Sequence, residues 1–190
     1  MPRPRDVVTD RPHVLFVGIN PGAVSGKAGH HFAGPSNPFY KLLHVAGLTP
    51  IELKAEEDHR LVEWRLALVN LCARPTKIAS ELKRKELLNG RKELVKKVTA
   101  MKPEVVALVG VTLYPIVFAR ADRKAPKVEL TPGPGPKPQM IADARVFVVP
   151  NPSGLNASFP TFEAKLPWFI ALRDYVDQVG GVGQPLVGSK

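Results

Sequence analysis

Two patterns of apolar residues alternate along the chain. Short, nearly continuous apolar runs are typical of strands buried on both faces, and we expect strands at 13–19, 66–72, 105–109 and 145–149. Between these runs, apolar residues recur with the spacing of amphipathic helices. This spacing predicts helices at 38–46, 55–65, 83–101, 112–120 and 161–179. Such alternation indicates a parallel sheet that helices cover on both faces.

The expected fold is therefore an α/β protein, a three-layer α/β/α sandwich with a mainly parallel central sheet. In such sheets, ligands bind beyond the carboxyl ends of the strands. Five prolines in 122–139 predict a loop there, with an edge strand as the alternative. Pro167 should kink the last helix or delay its start. A length of 190 residues favours one domain over 1–190, with flexible ends at 1–12 and 180–190.

Charge adds a candidate partner. The chain has 27 lysines and arginines against 17 acidic residues, a net charge of +10. Such a surplus predicts an anionic partner, with nucleic acid as the first candidate and simple colloidal solubility as the alternative. The segment 77–102 holds nine basic and three acidic residues, a net +6. Taken alone, its helix is best interpreted as a solvated face that raises non-specific DNA affinity without forming a site.

Cysteine use narrows the chemistry. Cys72 is the only cysteine, which excludes an intramolecular disulfide and any site that needs several cysteine ligands, such as an iron–sulfur cluster. A reducing, intracellular compartment is the natural interpretation. The longest apolar stretch without charge, 105–119, has 15 residues, fewer than the ~18–20 of a spanning helix. We expect a cytoplasmic protein, nucleoid-associated if its source is bacterial, with no membrane partner.

Two motifs suggest chemistry that their surroundings do not support. The segment 22–28 looks like a phosphate loop, but that loop needs Gly where Pro21 stands and Ser or Thr where Ala28 stands. His30 and His31 suggest a metal site, but neighbouring histidines point in different directions on most backbones. We expect neither nucleotide hydrolysis nor a metal or other cofactor.

Two other motifs follow predicted strands and meet at one edge of the sheet. Gly18-Ile-Asn-Pro-Gly22 ends the first strand, and Asn151-Pro-Ser-Gly-Leu155 ends the fourth. Each alone is an ordinary turn. Together they resemble the mismatch-specific uracil-DNA glycosylases, relatives of thymine-DNA glycosylase. The resemblance continues through Phe32, Asn37–Tyr40, Arg74–Thr76 and Gly90–Leu94, and it covers roughly residues 13–178.

The resemblance implies a monofunctional DNA glycosylase of base excision repair that flips uracil out of DNA and excises it hydrolytically. It implies the uracil-DNA glycosylase fold, no cofactor or metal, and a monomer. The implied partner is double-stranded DNA with a G:U or G:T mismatch, with single-stranded uracil DNA as a further candidate. Uracil, thymine and other damaged pyrimidines remain alternatives as the excised base.

The resemblance also implies roles for individual residues. Asn20 would hold the attacking water, and Phe32 would stack on the flipped base. The pocket around the base would be completed by Gly18, Ile19, Pro21, Gly22, Asn70 and Asn151. Gly154 and Leu155 would form the wedge that enters the duplex, while Ser153, Asn156 and nearby backbone amides would contact phosphate.

Both motifs lie in stretches without acidic residues. No Asp or Glu occurs in 11–51 or in 144–162. An amide such as Asn20 can orient water but cannot take its proton near neutral pH. We therefore expect catalysis by positioning and by stabilisation of the leaving anion, unless a carboxylate such as Glu81 enters from elsewhere.

Two positions depart from the pattern of relatives. Ala157 stands where some relatives have a second wedge residue, an Arg, so the grip on a mismatched duplex should be weaker and single strands relatively better substrates. Asn70 stands where some relatives have Lys. Its amide can accept from uracil N3–H and donate to O4, a pattern that cytosine reverses. The alternative is a buried Asn satisfied by backbone.

Three other functions compete with this one. A glycosylase of the iron–sulfur branch conflicts with the single Cys72. A catalytically silent relative would bind uracil DNA with steep salt dependence and release no base. A small-nucleotide-binding α/β protein would show no dependence of affinity on DNA length.

Overall fold

The computed structural model describes residues 3–118, 129–154 and 156–180, and within these ranges five strands form one sheet. The strands are β1 (Val14–Gly18), β2 (Leu66–Asn70), β3 (Val105–Val109), β4 (Gly135–Ile141) and β5 (Ala144–Val149). Their spatial order is β2-β1-β3-β5-β4. All neighbouring strands are parallel except β4, which is antiparallel to β5. The four strands that the apolar runs predict are confirmed.

The described ranges also contain five α-helices and two 3₁₀ segments. The helices are α1 (Ala23–Ala28), α2 (Phe39–Val45), α3 (Arg84–Met101), α4 (Leu113–Phe118) and α5 (Phe162–Val179), and the 3₁₀ segments are Ala55–Trp64 and Ala79–Glu81. The helix predictions are confirmed to within two residues wherever the structure describes them, except that 55–64 is a 3₁₀ helix. Helix α1 was not predicted. No helix in the described part of the chain is both long and apolar enough to cross a membrane.

Both faces of the sheet are buried under helices. Alternate residues of β1 point to opposite sides, so that Val14 and Phe16 join one apolar cluster while Leu15 and Val17 join the other. Helices α2 and α5 cover the first cluster, and α3 and α4 cover the second. This arrangement confirms the expected α/β sandwich.

The structure confirms the edge strand that the sequence offered as the alternative within 122–139, and it shows no delayed start of the last helix at Pro167. Strand β4 forms within the proline-rich segment, and it lies at the edge of the sheet, where a missing N–H is tolerated. Pro167 lies inside α5 without delaying its start at Phe162, because Thr161 caps the helix by accepting a hydrogen bond from the Ala164 N–H at 3.2 Å. The rest of the predicted loop, through residue 128, lies outside the described residues.

The N-terminal segment is attached to the sheet, in contrast to the flexible end expected at 1–12. Val7 pairs with Leu68 of β2 through two backbone hydrogen bonds of 2.8 and 2.9 Å. The Arg11 N–H donates to the carbonyl of Met101 at 2.8 Å. The expectations for residues 1–2 and for the C-terminal end beyond residue 180 fall outside the described residues.

Helix α3 approaches the sheet closely at Gly90. A Cβ atom at this position would lie 2.4 Å from the Leu71 carbonyl oxygen, just past the end of β2. That distance is far below ordinary van der Waals contact, and the neighbour is backbone, which cannot rotate away. Glycine is therefore required where the helix crosses this segment.

We predict that Gly90→Ala destabilises the protein despite the higher helix propensity of alanine. Overpacking should lower the free energy of unfolding by about 1–3 kcal/mol, measured by chemical denaturation. Asn89→Ala, at the adjacent exposed position of α3, is the matched control and should be neutral or slightly stabilising. A Gly90→Ala variant as stable as the control would contradict the tight contact.

Candidate active site

The first motif is extended by a second segment of chain that runs beside it. Beyond β2, the N–H groups of Leu71, Cys72 and Thr76 donate to the carbonyls of Gly18, Ile19 and Pro21 at 2.8, 2.8 and 3.1 Å. The pairing of β1 with β2 thus continues past the ends of both strands. The turn 18–22 and the segment 71–76 form one rigid lip at the carboxyl edge of the sheet.

This lip holds the side chain of Asn20. Its Nδ2 donates to the Arg74 carbonyl at 2.9 Å, to Thr76 Oγ1 at 2.8 Å and to the Pro21 carbonyl at 3.2 Å. Carbonyl oxygens only accept, so the nitrogen must face them and Oδ1 must face away. Within the described part of the chain Oδ1 has no partner, and Asn20 is only half-buried. The oxygen is available to accept a hydrogen bond from water.

An ion pair fixes the backbone that holds Asn20. Arg74 Nε lies 2.7 Å from Glu86 Oε1, and its Nη2 donates to the carbonyl of Glu81 at 2.9 Å. Glu86 Oε2 also accepts from the Lys83 N–H at the start of α3. Hydrogen bonds from Arg74 and Lys83 lower the pKa of the Glu86 carboxyl to about 2. Helix α3 therefore anchors the lip through a pair that stays charged over the physiological range.

Phe32 provides an aromatic surface close to the first motif. Its ring stacks on the buried Phe39 with centroids 4.1 Å apart and planes 24° apart. Its Cζ is 3.7 Å from the position that a Cβ on Gly18 would occupy. Phe32 has φ +51, in the left-handed region that side chains rarely adopt, so its neighbours must hold this backbone in place.

His31 fixes this backbone through four hydrogen bonds. Its N–H donates to Asp58 Oδ2 at 3.0 Å, and its carbonyl accepts from the Tyr40 hydroxyl at 2.8 Å. Its ring Nε2 lies 3.0 Å from the Arg5 carbonyl, and Nδ1 lies 3.2 Å from Asn70 Nδ2. Burial lowers the pKa of His31, which is 2% exposed. The histidine thus joins four segments of the chain through hydrogen bonds, a role that sequence reasoning did not predict.

Asp58 is the second site residue that sequence reasoning missed. Besides His31, it accepts a hydrogen bond from His30 Nδ1 at 3.2 Å. It comes from the 3₁₀ segment Ala55–Trp64 and so brings a carboxylate beneath a loop that has none of its own. Within the described ranges, no group of three His, Cys, Asp or Glu residues could hold a metal ion.

Asn70 faces the first motif directly. In the β1–β2 register it is the partner of Gly18, and its Oδ1 would be 2.6 Å from a Cβ at that glycine. The side-chain nitrogen is bound to the His31 ring rather than to backbone. The structure therefore brings Gly18, Phe32 and Asn70 together at one point of the edge.

The second motif forms a separate turn, divided from the first by the end of β3. Asn151 Oδ1 accepts from the Ser153 N–H at 2.9 Å, and its carbonyl accepts from Asn156 Nδ2 at 3.0 Å. Gly154 is exposed, with open space where a side chain would be. Gly110, at the end of β3, has φ +115 and would place a Cβ 3.6 Å from Asn151 Cβ. The predicted wedge residue Leu155 lies outside the described residues.

A cavity of about 400 Å³ adjoins the lip on the side of α1. It is lined by Ala23, Gly26, Lys27, Pro75, Thr76, Lys77 and Glu81. Thr76 connects this cavity to Asn20, and the two lysines give it a positive rim. Glu81, the carboxylate that the sequence suggested, accepts a hydrogen bond from the Ile78 N–H at 3.2 Å.

The family model described as the uracil DNA glycosylase superfamily matches residues 5–173. The match includes both motifs, the lip and the residues around Phe32.

We predict that the Arg74–Glu86 pair resists acid. Because the folded pKa of Glu86 is about 2 and the ordinary value is 4.5, its stabilising effect is fully present above pH 4.5. The effect is lost as pH falls through about 2. A carboxyl-detected NMR titration should place the Glu86 midpoint near 2 in the wild type. A midpoint near 4.5, or one unaffected by Arg74→Gln, would contradict the pair.

Proposed function

The chain belongs to the uracil DNA glycosylase superfamily, whose members are DNA N-glycosylases, and we propose that it is a monofunctional enzyme of the mismatch-specific branch. It would excise uracil, and related mismatched or damaged pyrimidines, from DNA as the first step of base excision repair. We further propose that it acts as a cytoplasmic, single-domain monomer without a cofactor. The observation that carries the proposal is the fixed amide of Asn20, whose oxygen is free to hold a water.

In the proposed reaction, water attacks the sugar carbon C1′ of the flipped nucleotide. The C1′–N1 bond breaks and its electron pair leaves on uracil, while the water oxygen bonds to C1′ and its proton passes to solvent or to the departing base. Asn20 Oδ1 would accept a hydrogen bond from this water and orient it. Because Asn20 Nδ2 is already held by Arg74 and Thr76, the orientation costs no reorganisation during the reaction.

Among the described residues, the lip segments 18–22 and 71–76 contain no Asp or Glu. Asp58 is bound to His30 and His31, and Glu81 accepts from Ile78. This distribution supports catalysis through stabilisation of the leaving anion. The lip carbonyls of Gly18, Ile19 and Pro21 are turned towards the segment 71–76. Within the described part of the chain, the N–H groups of Asn20 and Gly22 are left as donors for an anionic base.

The base pocket would be built from both sides of the β1–β2 edge. Phe32 would stack on the base with the face opposite Phe39, and Asn70 would read the edge of uracil. Asn151 would lie near the base and sugar from the side of β5. Base–aromatic stacking is worth roughly 1–3 kcal/mol, enough to offset much of the cost of base flipping.

DNA binding would use both charge and shape. The net +10 of the chain would attract the phosphate backbone, with α3 as a basic outer face. Gly154 and Leu155 would enter the duplex, and Ser153 and Asn156 would lie at phosphate. Because Ala157 stands where some relatives have a second wedge residue, single-stranded uracil DNA should be a comparatively good substrate.

We predict that Asn20→Ala reduces uracil release by roughly 100-fold or more, because the water loses its orientation. Single-turnover cleavage of a uracil oligonucleotide measures the rate, and binding to the same DNA should be retained. Asn89→Ala removes an equivalent amide from the exposed face of α3 and should release uracil at the wild-type rate. An Asn20→Ala enzyme of near-normal activity would disprove the assignment.

We predict that the wild type releases uracil from a G:U duplex, and the same assay on an A:U duplex and on single-stranded uracil DNA determines its substrate preference. Activity on all three would show that the uracil pocket dominates recognition, whereas activity on G:U alone would show that the wedge reads the opposite guanine. Binding that weakens steeply with salt, without release from any substrate, would favour the catalytically silent alternative.

A further inference from the structure

The hydrogen bonds of the His31 ring determine which way the amide of Asn70 faces. A carbonyl oxygen only accepts, so the ring nitrogen 3.0 Å from the Arg5 carbonyl, Nε2, must carry the proton. In the neutral ring, the other nitrogen, Nδ1, is then an acceptor. The group of Asn70 that lies 3.2 Å from Nδ1 must be the amide nitrogen.

This orientation places the oxygen of Asn70 on the side of Gly18. Asn70 Oδ1 would lie 2.6 Å and Phe32 Cζ 3.7 Å from a Cβ at Gly18, and both side chains belong to half-buried residues. Uracil offers a donor at N3 and an acceptor at O4, while cytosine offers an acceptor at N3 and a donor at N4. An amide with its oxygen fixed at this point accepts from uracil N3–H and opposes the N3 lone pair of cytosine. The reversed amide would have the opposite preference.

We propose that His31 is the positioning residue that selects uracil over cytosine, by fixing the amide orientation of Asn70. His31 is almost fully buried beneath the loop and acts on the base only through Asn70. The proposal rests on the function proposed above and deepens it. The selection starts from the Arg5 carbonyl, whose single hydrogen bond determines the ring tautomer and therefore the atom that Asn70 presents.

The selectivity should depend on pH in a defined direction. Burial keeps the His31 pKa below its ordinary value, so at neutral pH the ring is neutral and Nδ1 accepts from Asn70. As pH falls through that lowered pKa, Nδ1 gains a proton and no longer accepts from Asn70. The charged or titratable groups that face the ring are Asp58 and Asp6, which favour protonation, and His30, which opposes it. Asp6 is itself paired with Lys97 at 2.6 Å.

The test compares release of uracil and of cytosine from otherwise identical single-stranded oligonucleotides. His31→Leu introduces an apolar side chain of similar size and removes the acceptor Nδ1. The amide of Asn70 can then turn. We expect uracil release to fall only a few-fold, cytosine release to become measurable, and their ratio to fall at least about 10-fold. Tyr40→Phe removes a different hydrogen bond to His31 and leaves its ring intact, so this control should keep the wild-type ratio.

The outcomes distinguish a failure of this inference from a failure of the proposed function. Failure of the wild type to release uracil would count against the function itself. If the wild type is active and Asn70→Ala lowers the ratio, an unchanged ratio in His31→Leu would overturn the inference alone. Should His31→Leu not fold, as judged by circular dichroism, the wild-type pH profile decides. The midpoint at which the ratio falls must coincide with the His31 titration midpoint from NMR, and a different midpoint would overturn the inference.

Discussion

The parallel pairing of β1 with β2 continues beyond the last strand residues, and the candidate site depends on that continuation. Three further backbone hydrogen bonds join the turn 18–22 to the segment 71–76. They use three of the five carbonyl groups of the turn and place the Arg74 carbonyl and Thr76 beside Asn20. In the same register, Asn70 lies opposite Gly18. Gly90 allows α3 to press against the same segment. A helix, two strands and two loops therefore converge on one short lip.

Much of the fold was predictable because strands that are buried on both faces appear in the sequence as uninterrupted apolar runs. The four parallel strands are uninterrupted apolar runs, and α3 and α5 have clear helical spacing. Strand β4 was harder to predict, since Pro136 and Pro138 are tolerated only because it lies at an edge. The short helix α1 was missed because its sequence carries few apolar residues and resembles a glycine-rich loop.

The sequence led to the motif residues of the site but not to their supports. Asn20, Phe32 and Asn70 could be named because the resemblance to a known family implies roles for them. His31 and Asp58 could not, because their importance lies in contacts between segments 27 residues apart along the chain. The double histidine was considered only as a metal ligand, whereas its second member acts through backbone and ring hydrogen bonds. Sequence reasoning identifies residues that face a ligand more readily than the residues that hold those side chains in position.

The pairing of Val7 with Leu68 has a consequence that reaches beyond the edge of the sheet. It holds the N-terminal segment so that the Arg5 carbonyl accepts a hydrogen bond from the His31 ring. The other nitrogen of that ring is hydrogen-bonded to Asn70. In the proposed mechanism, the segment around Arg5 therefore contributes to base selection through the His31 ring. A fragment that begins at β1 would keep every motif residue. It would lack the Arg5 carbonyl, which determines the tautomer of the His31 ring. Domain boundaries drawn from the motifs alone would exclude a segment that pairs with β2 and holds the His31 ring.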